Sequence, residues 1–160
     1  MATIGTALLV LAADQASKFW VRSSFAEEEV LVVIRGCFNI TFVRNRGGVF
    51  GIYPGHQFLF LVFSIATVLA IGLLYRRYAP GGRAGRTAVG MILGGAIGNL
   101  ADRLLADGDG CVTDWLDLYI GRHHWPAFNV ADAAITAGVA ILVYLLILRP
   151  DVPRGGEGGP

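Results

Sequence analysis

Four apolar stretches divide the chain, and the segments between them differ in texture. The first runs from Ala2 to Ala13, then meets Asp14, Gln15, Ser17 and Lys18 before Phe19-Trp20-Val21. Read through to Arg22, it is long enough to cross a bilayer if Asp14 and Lys18 face protein or water. Spaced i, i+4, those two share a helix face and can pair. No basic residue precedes the run and no clean small-residue cleavage site follows it, which argues against a signal peptide. Residues 57–75 carry no charge and form the cleanest span. Residues 87–105 and 126–148 complete a set of four, the first span covering residues 3–22. Between the first two spans, Glu27-Glu28-Glu29 reads as a solvated acidic patch. Val30 to Ile34 follow, then Phe38, Ile40 and Phe42 alternate with Asn39, Thr41 and Val43. Period-two alternation with β-branched and aromatic residues predicts strands, hence a small sheet outside the hydrocarbon. Residues 106–125 form a second extramembrane segment. Residues 150–160 are Gly/Pro-rich and read as a disordered tail after a single domain, 1–149.

Composition agrees with this pattern. Of 160 residues, 54% are hydrophobic and 16% charged, and the mean hydropathy is +0.58. That is too little charge for an ordinary soluble surface and too much apolar content for a disordered chain. Thirteen Lys plus Arg against twelve Asp plus Glu leave a net charge of +1, so there is no basic footprint for nucleic acid. The expectation is an all-α membrane protein with four transmembrane helices and a small extracytoplasmic β-sheet between the first two. Arg76, Arg77, Arg83 and Arg86 crowd a short loop without acids, which places that loop and both termini in the cytoplasm. Arg35, Arg44, Arg46 and Arg122 fall on the outer side and weaken the bias. Cys37 and Cys111 make neither a disulfide framework nor a zinc spacing and read as inert thiols.

Topology then brings polar residues together. Asp14 and Lys18 lie in the outer half of the first span, Asn99, Asp102 and Arg103 near the outer end of the third, and Asn129 and Asp132 in the first two turns of the fourth. Ionisable groups in a bilayer are costly and mark functional sites or structural ion pairs. Gly90, Gly94 and Gly98, at four-residue spacing, allow a neighbouring helix to approach the third span. Two carboxylates at the membrane boundary can share a proton and activate water without metal or covalent intermediate. Asp132 is one candidate; the other is Asp114 or Asp117, which spacing alone does not separate. His56, His123 and His124 form no HExxH pattern, there is no GxSxG elbow, and no phosphate loop is present. No metal and no cofactor are expected. A small four-helix transporter or channel subunit is the alternative, but its pathway needs polar residues across the full membrane thickness.

Asp14-Gln15 with Ser17-Lys18, then FNITFVRNRGGVFGI, GGAIGNLADRL, VTDWLDLY and WPAFNVADA resemble, in order, the motif series of lipoprotein signal peptidase (signal peptidase II). The resemblance implies an aspartyl endopeptidase of the bacterial inner membrane, multi-pass, with its active site near the outer leaflet. It would remove the signal peptide from prolipoproteins just before the diacylglyceryl-modified cysteine. It also implies a catalytic dyad of Asp114 and Asp132. Asp14, Lys18, Asn45, Asn99, Asp102, Arg103 and Asn129 would line the substrate site, and the sheet would cradle the substrate. Further implied are membrane lipid as a partner, peptide-like inhibitors of the globomycin type, and a monomer. Gly48-Val49, Trp115 and Ala133 depart from the family's usual residues, and none of the three removes an ionisable group.

Overall fold

The computed structural model describes residues 1–46, 62, 65–66, 82–106 and 110–148. Three long helices appear among them: α1 (Ala2–Ser24), α2 (Gly82–Leu105) and α3 (Val130–Val143), the last continuing as a π-helical turn over Tyr144–Leu148. These correspond to the first, third and fourth predicted spans. The second, 57–75, lies mostly outside the described residues, as does the tail 150–160. Among the described residues α2 is the one helix long and apolar enough to cross a membrane by length and composition. It begins at Gly82, so Arg83 and Arg86 occupy its exposed first turns and not a loop.

Helix α2 is the centre of the bundle because glycines leave two of its faces bare. A Cβ on Gly90 or Gly94 would stand 2.6 Å from the Thr3 carbonyl oxygen or 2.5 Å from that of Ala7. Backbone approach of this kind is what small-residue stripes permit, and here it seats α1. Gly95 does the same for α3, its missing Cβ lying 2.5 Å from the Ala131 carbonyl oxygen. Leu8, Leu9, Phe19 and Val139 stay exposed on the outer faces, where a lipid environment would cover them.

The sheet departs from expectation. It has four antiparallel strands in the order β1 (Val30–Ile34), β2 (Phe38–Asn45), β3 (Val112–Ile120) and β4 (His123–His124). The predicted strands form and pair as β1 and β2, but half of the sheet comes from the segment between α2 and α3, so an all-α label leaves out an element built from two distant parts of the chain. The fourth helix also starts later than predicted. Residues 126–129 are not helical, because Phe128 pairs with Leu116 on β3 in both directions, at 2.8 and 3.1 Å. Asn129 is therefore the N-cap of α3, and Asp132 its third residue, closing a capping box.

Candidate active site

The polar groups of the three helices meet where the bundle joins the sheet. Asp14, Lys18, Asp102 and Asn129 are all 0% exposed. Lys18 Nζ lies 2.8 Å from Asp14 Oδ2, the i, i+4 pair read from the sequence, and 3.1 Å from Asp102 Oδ2. Arg22 reaches Asp102 Oδ1 at 3.4 Å and donates to Thr113 Oγ1 at 3.0 Å. Two cations thus face two carboxylates, and the remaining acceptors take backbone donors. Asp102 accepts from Thr113 N at 3.0 Å, and Asp14 from Ala131 N at 2.9 Å, at the N-terminus of α3. A carboxylate there is stabilised by the helix dipole as well as by the bond. Removing one partner from such a buried set leaves an uncompensated charge and costs about 3–5 kcal/mol.

A ladder of amides carries this network to the two candidate carboxylates. Lys18 donates to Asn99 Oδ1 at 2.9 Å, and Asn99 Nδ2 donates to Asp132 Oδ1 at 2.8 Å. Asn129 is bonded to both acids at once. Its side-chain Nδ2 donates to Asp114 Oδ1 at 2.7 Å, and its backbone N donates to Asp132 Oδ2 at 3.3 Å. Its Oδ1 accepts from Asp132 N at 3.0 Å, which fixes the amide orientation. Asn45, at the end of β2, donates to Asp114 Oδ2 at 2.8 Å. Arg103 donates to the Asn99 carbonyl at 3.2 Å, and its guanidinium feels the charges of Asp132 and Asp114.

Burial pushes the Asp114 carboxyl up to about 7, against the lowering effect of the Asn45 bond, and the neighbouring Asp132 pushes it the same way. Asp117 stands apart. Three residues from Asp114 on one strand, it faces the opposite side of the sheet, where it accepts from Asn39 Nδ2 at 2.7 Å and meets His124 Nδ1 at 2.8 Å. Every site residue named from the sequence except Asp117 thus belongs to one connected region. Sequence reasoning passed over Gln15, whose Nε2 donates to Asp14, Asp102 and the Gly98 carbonyl, each at 3.1 Å. Its signal was there: a neutral amide beside Asp14, directly after the apolar run from Ala2 to Ala13. Among the described residues, no three His, Cys, Asp or Glu side chains converge as a metal-ligating cluster. Cys37, at the β1–β2 turn, is exposed and Cys111 is buried.

The sheet caps the helical bundle, and Asn129 bridges the two carboxylates at their junction. The sequence profile of the signal peptidase (SPase) II family matches residues 6–148, and the chain belongs to that family. Lipoprotein signal peptidases of Desulforapulum autotrophicum and Syntrophus aciditrophicus are 42% and 46% identical to it, each alignment covering 90% of this chain and 91% of the relative. A bacterial membrane enzyme solved by the in meso method at 2.3 Å superposes with a TM-score of 0.83 at 28% identity, covering 98% of this chain and 94% of that one.

Proposed function

We propose that this chain removes signal peptides from bacterial prolipoproteins, cutting on the N-terminal side of the diacylglyceryl-modified cysteine with Asp114 and Asp132 as the catalytic pair. The observation that carries the reading is the pair of hydrogen bonds that Asn129 donates, one to each carboxylate, which holds both against one residue. Asp114, raised to about 7, is protonated in roughly half of the molecules at neutral pH; in that form it serves as the acid and Asp132 as the base. Asp132 takes a proton from water as its oxygen attacks the scissile carbonyl, and Asp114 donates to the carbonyl oxygen. In collapse, Asp132 returns its proton to the leaving nitrogen, the C–N bond breaks, and Asp114 recovers its own. Asn45 and Asn99 each hold one oxygen of an acid and Asn129 the other, so each oxygen keeps one lone pair for water or substrate.

The chain works as a single four-helix membrane domain over 1–149, spans near 3–22, 57–75, 87–105 and 126–148. Both termini face the cytoplasm, and the site lies near the outer leaflet of the inner membrane. Two acyl chains on the substrate cysteine favour the membrane by about 0.8 kcal/mol per buried CH₂, which holds the scissile bond at headgroup depth. Asp14, Lys18, Asp102 and Arg103 set the charge of the floor beneath the pair. Membrane lipid and peptide-like inhibitors of the globomycin type are further partners of the same surface, and the monomer is the working unit.

Single-turnover cleavage of a diacylglyceryl-modified prolipoprotein peptide tests the pair. Asp114→Asn and Asp132→Asn, nearly isosteric, each abolish cleavage while leaving a folded protein. The double variant is little worse than either, as expected of groups acting as a unit. Asp117→Asn retains at least about a third of the rate, because flipping the Asn39 amide lets its Oδ1 accept from the new amide. That buried Oδ1 has no hydrogen-bond partner as it stands. Normal cleavage by both Asp114→Asn and Asp132→Asn would overturn the reading.

A further inference from the structure

Asn129 meets Asp114 because the chain folds back onto β3 and delivers Phe128 opposite Leu116. That return segment is held by backbone bonds at its two ends and is irregular between them. After the two-residue turn at Gly121 (φ +62) and Arg122, the ladder pairs Ile120 with His123 and Tyr119 with His124. Trp125 N then donates to Leu118 O at 2.8 Å. The next bridge joins Leu116 to Phe128, so the returning strand has gained one residue on its partner. Pro126 sits in the gap and has no N–H to give. Two ladder pairs and an irregular stretch specify register weakly, and a slip of one pair would carry Asn129 roughly 3.3 Å along β3.

Side chains supply the missing constraint. His124 Nδ1 lies 2.8 Å from Asp117 Oδ1, and the other oxygen of that carboxylate accepts from Asn39 Nδ2 on β2 at 2.7 Å. The His124 ring stacks on Tyr119 with centroids 4.8 Å apart and planes 7° from parallel. Tyr119 in turn accepts on its hydroxyl from Gly36 N at 2.8 Å, at the β1–β2 turn. The return segment is thereby pinned across β3 to β2, on the sheet face away from Asp114. We propose that His124 and Asp117 are positioning residues: their contact locks segment 123–128 in the one register that brings Asn129 between Asp114 and Asp132. This rests on the reading of those two aspartates as the reacting pair.

The test is steady-state cleavage of a fluorogenic diacylglyceryl-cysteine peptide by the full-length protein in detergent. Variants are His124→Ala, His124→Asn, Asp117→Ala, the double alanine variant and Asp132→Asn. A displaced pair should cost kcat, about ten- to a hundredfold in each alanine variant, with KM within about threefold of the parent. Asn places an amide N–H where Nδ1 stood, so His124→Asn should return kcat to within about threefold of the parent. The double alanine variant should be no worse than the worse single one, since both break one contact. Unchanged kcat in His124→Ala beside an inactive Asp132→Asn overturns the positioning role alone. So does a loss carried mainly by KM, or one that His124→Asn does not recover. An active Asp132→Asn overturns the reading of the pair and this proposal with it.

Discussion

Burial holds Asp114 up to about 7, with Asp132 adding to the shift and the hydrogen bonds from Asn45 and Asn129 opposing it. The consequence for pH follows from linkage. A carboxyl raised in the folded state lends stability fully below its unfolded value, near 3.8, and loses it as pH rises through about 7. Ionising Asp114 in place therefore destabilises the fold by on the order of 4 kcal/mol across that window. Asp114→Asn escapes this cost. Its melting temperature relative to the parent should be higher at pH 8 than at pH 5, measured by thermal unfolding in detergent; a difference that does not change with pH would refute the assignment. In the parent, kcat/KM should fall above about pH 7 as the shared proton is lost, the two limbs of its profile belonging to the coupled pair.

At the scale of elements, the packing of α2 decides whether the amide ladder can form, because Asn99 and Asp102 ride on the same helix as Gly90, Gly94 and Gly98. Gly98 packs against the Asp14 carboxylate itself, a Cβ there falling 2.5 Å from Asp14 Oδ2. Gly94→Val would drive a branched side chain into the Ala7 backbone, which cannot yield without moving α1. The expected cost is about 1–3 kcal/mol or more, with activity lost as Lys18 is drawn from Asn99. Gly5→Ala on α1 meets nothing within 4 Å among the described residues and should change stability by less than about 1 kcal/mol, in the stabilising direction. Comparing the two by thermal unfolding separates helix contact from helix propensity. Equal effects would show that the α1–α2 seam is not where the glycines act.

On the scale of the whole molecule, the charged groups gather where the helices meet the sheet, while Arg83 and Arg86 stand exposed at the far end of α2, 16 and 13 residues from Asn99 and hence roughly 24 and 20 Å along the helix. Arg83→Ala with Arg86→Ala should leave cleavage within about twofold of the parent in purified protein, since a K/R bias acts during insertion and not during chemistry. Impermeant labelling of a cysteine at position 83, in a background lacking Cys37 and Cys111, should find it reachable from the cytoplasm alone. Labelling from outside would invert the topology and with it the outer-leaflet placement of the site.

Local pattern determined much of this protein. The length of its apolar stretches located α1, α2 and α3, the four-residue glycine spacing identified the packed face of α2, and the i, i+4 offset of Asp14 and Lys18 already allowed their contact. Strand alternation found β1 and β2. These features depend on residues a turn or two apart, so they are written wherever they occur. The choice between Asp114 and Asp117 is of another kind. Both are acids in one strand, and their odd separation says only that they face opposite sides. Which side looks into the bundle depends on the pairing of β3 with β2, some seventy residues earlier, and on the return of Phe128 to Leu116. The same return moved the start of the last helix from Pro126 to Val130 and turned Asn129 from a helix residue into the cap that bonds both acids. Long-range backbone pairing decided these points, because hydrogen-bond partners of a strand lie outside any window in which periodicity can be read.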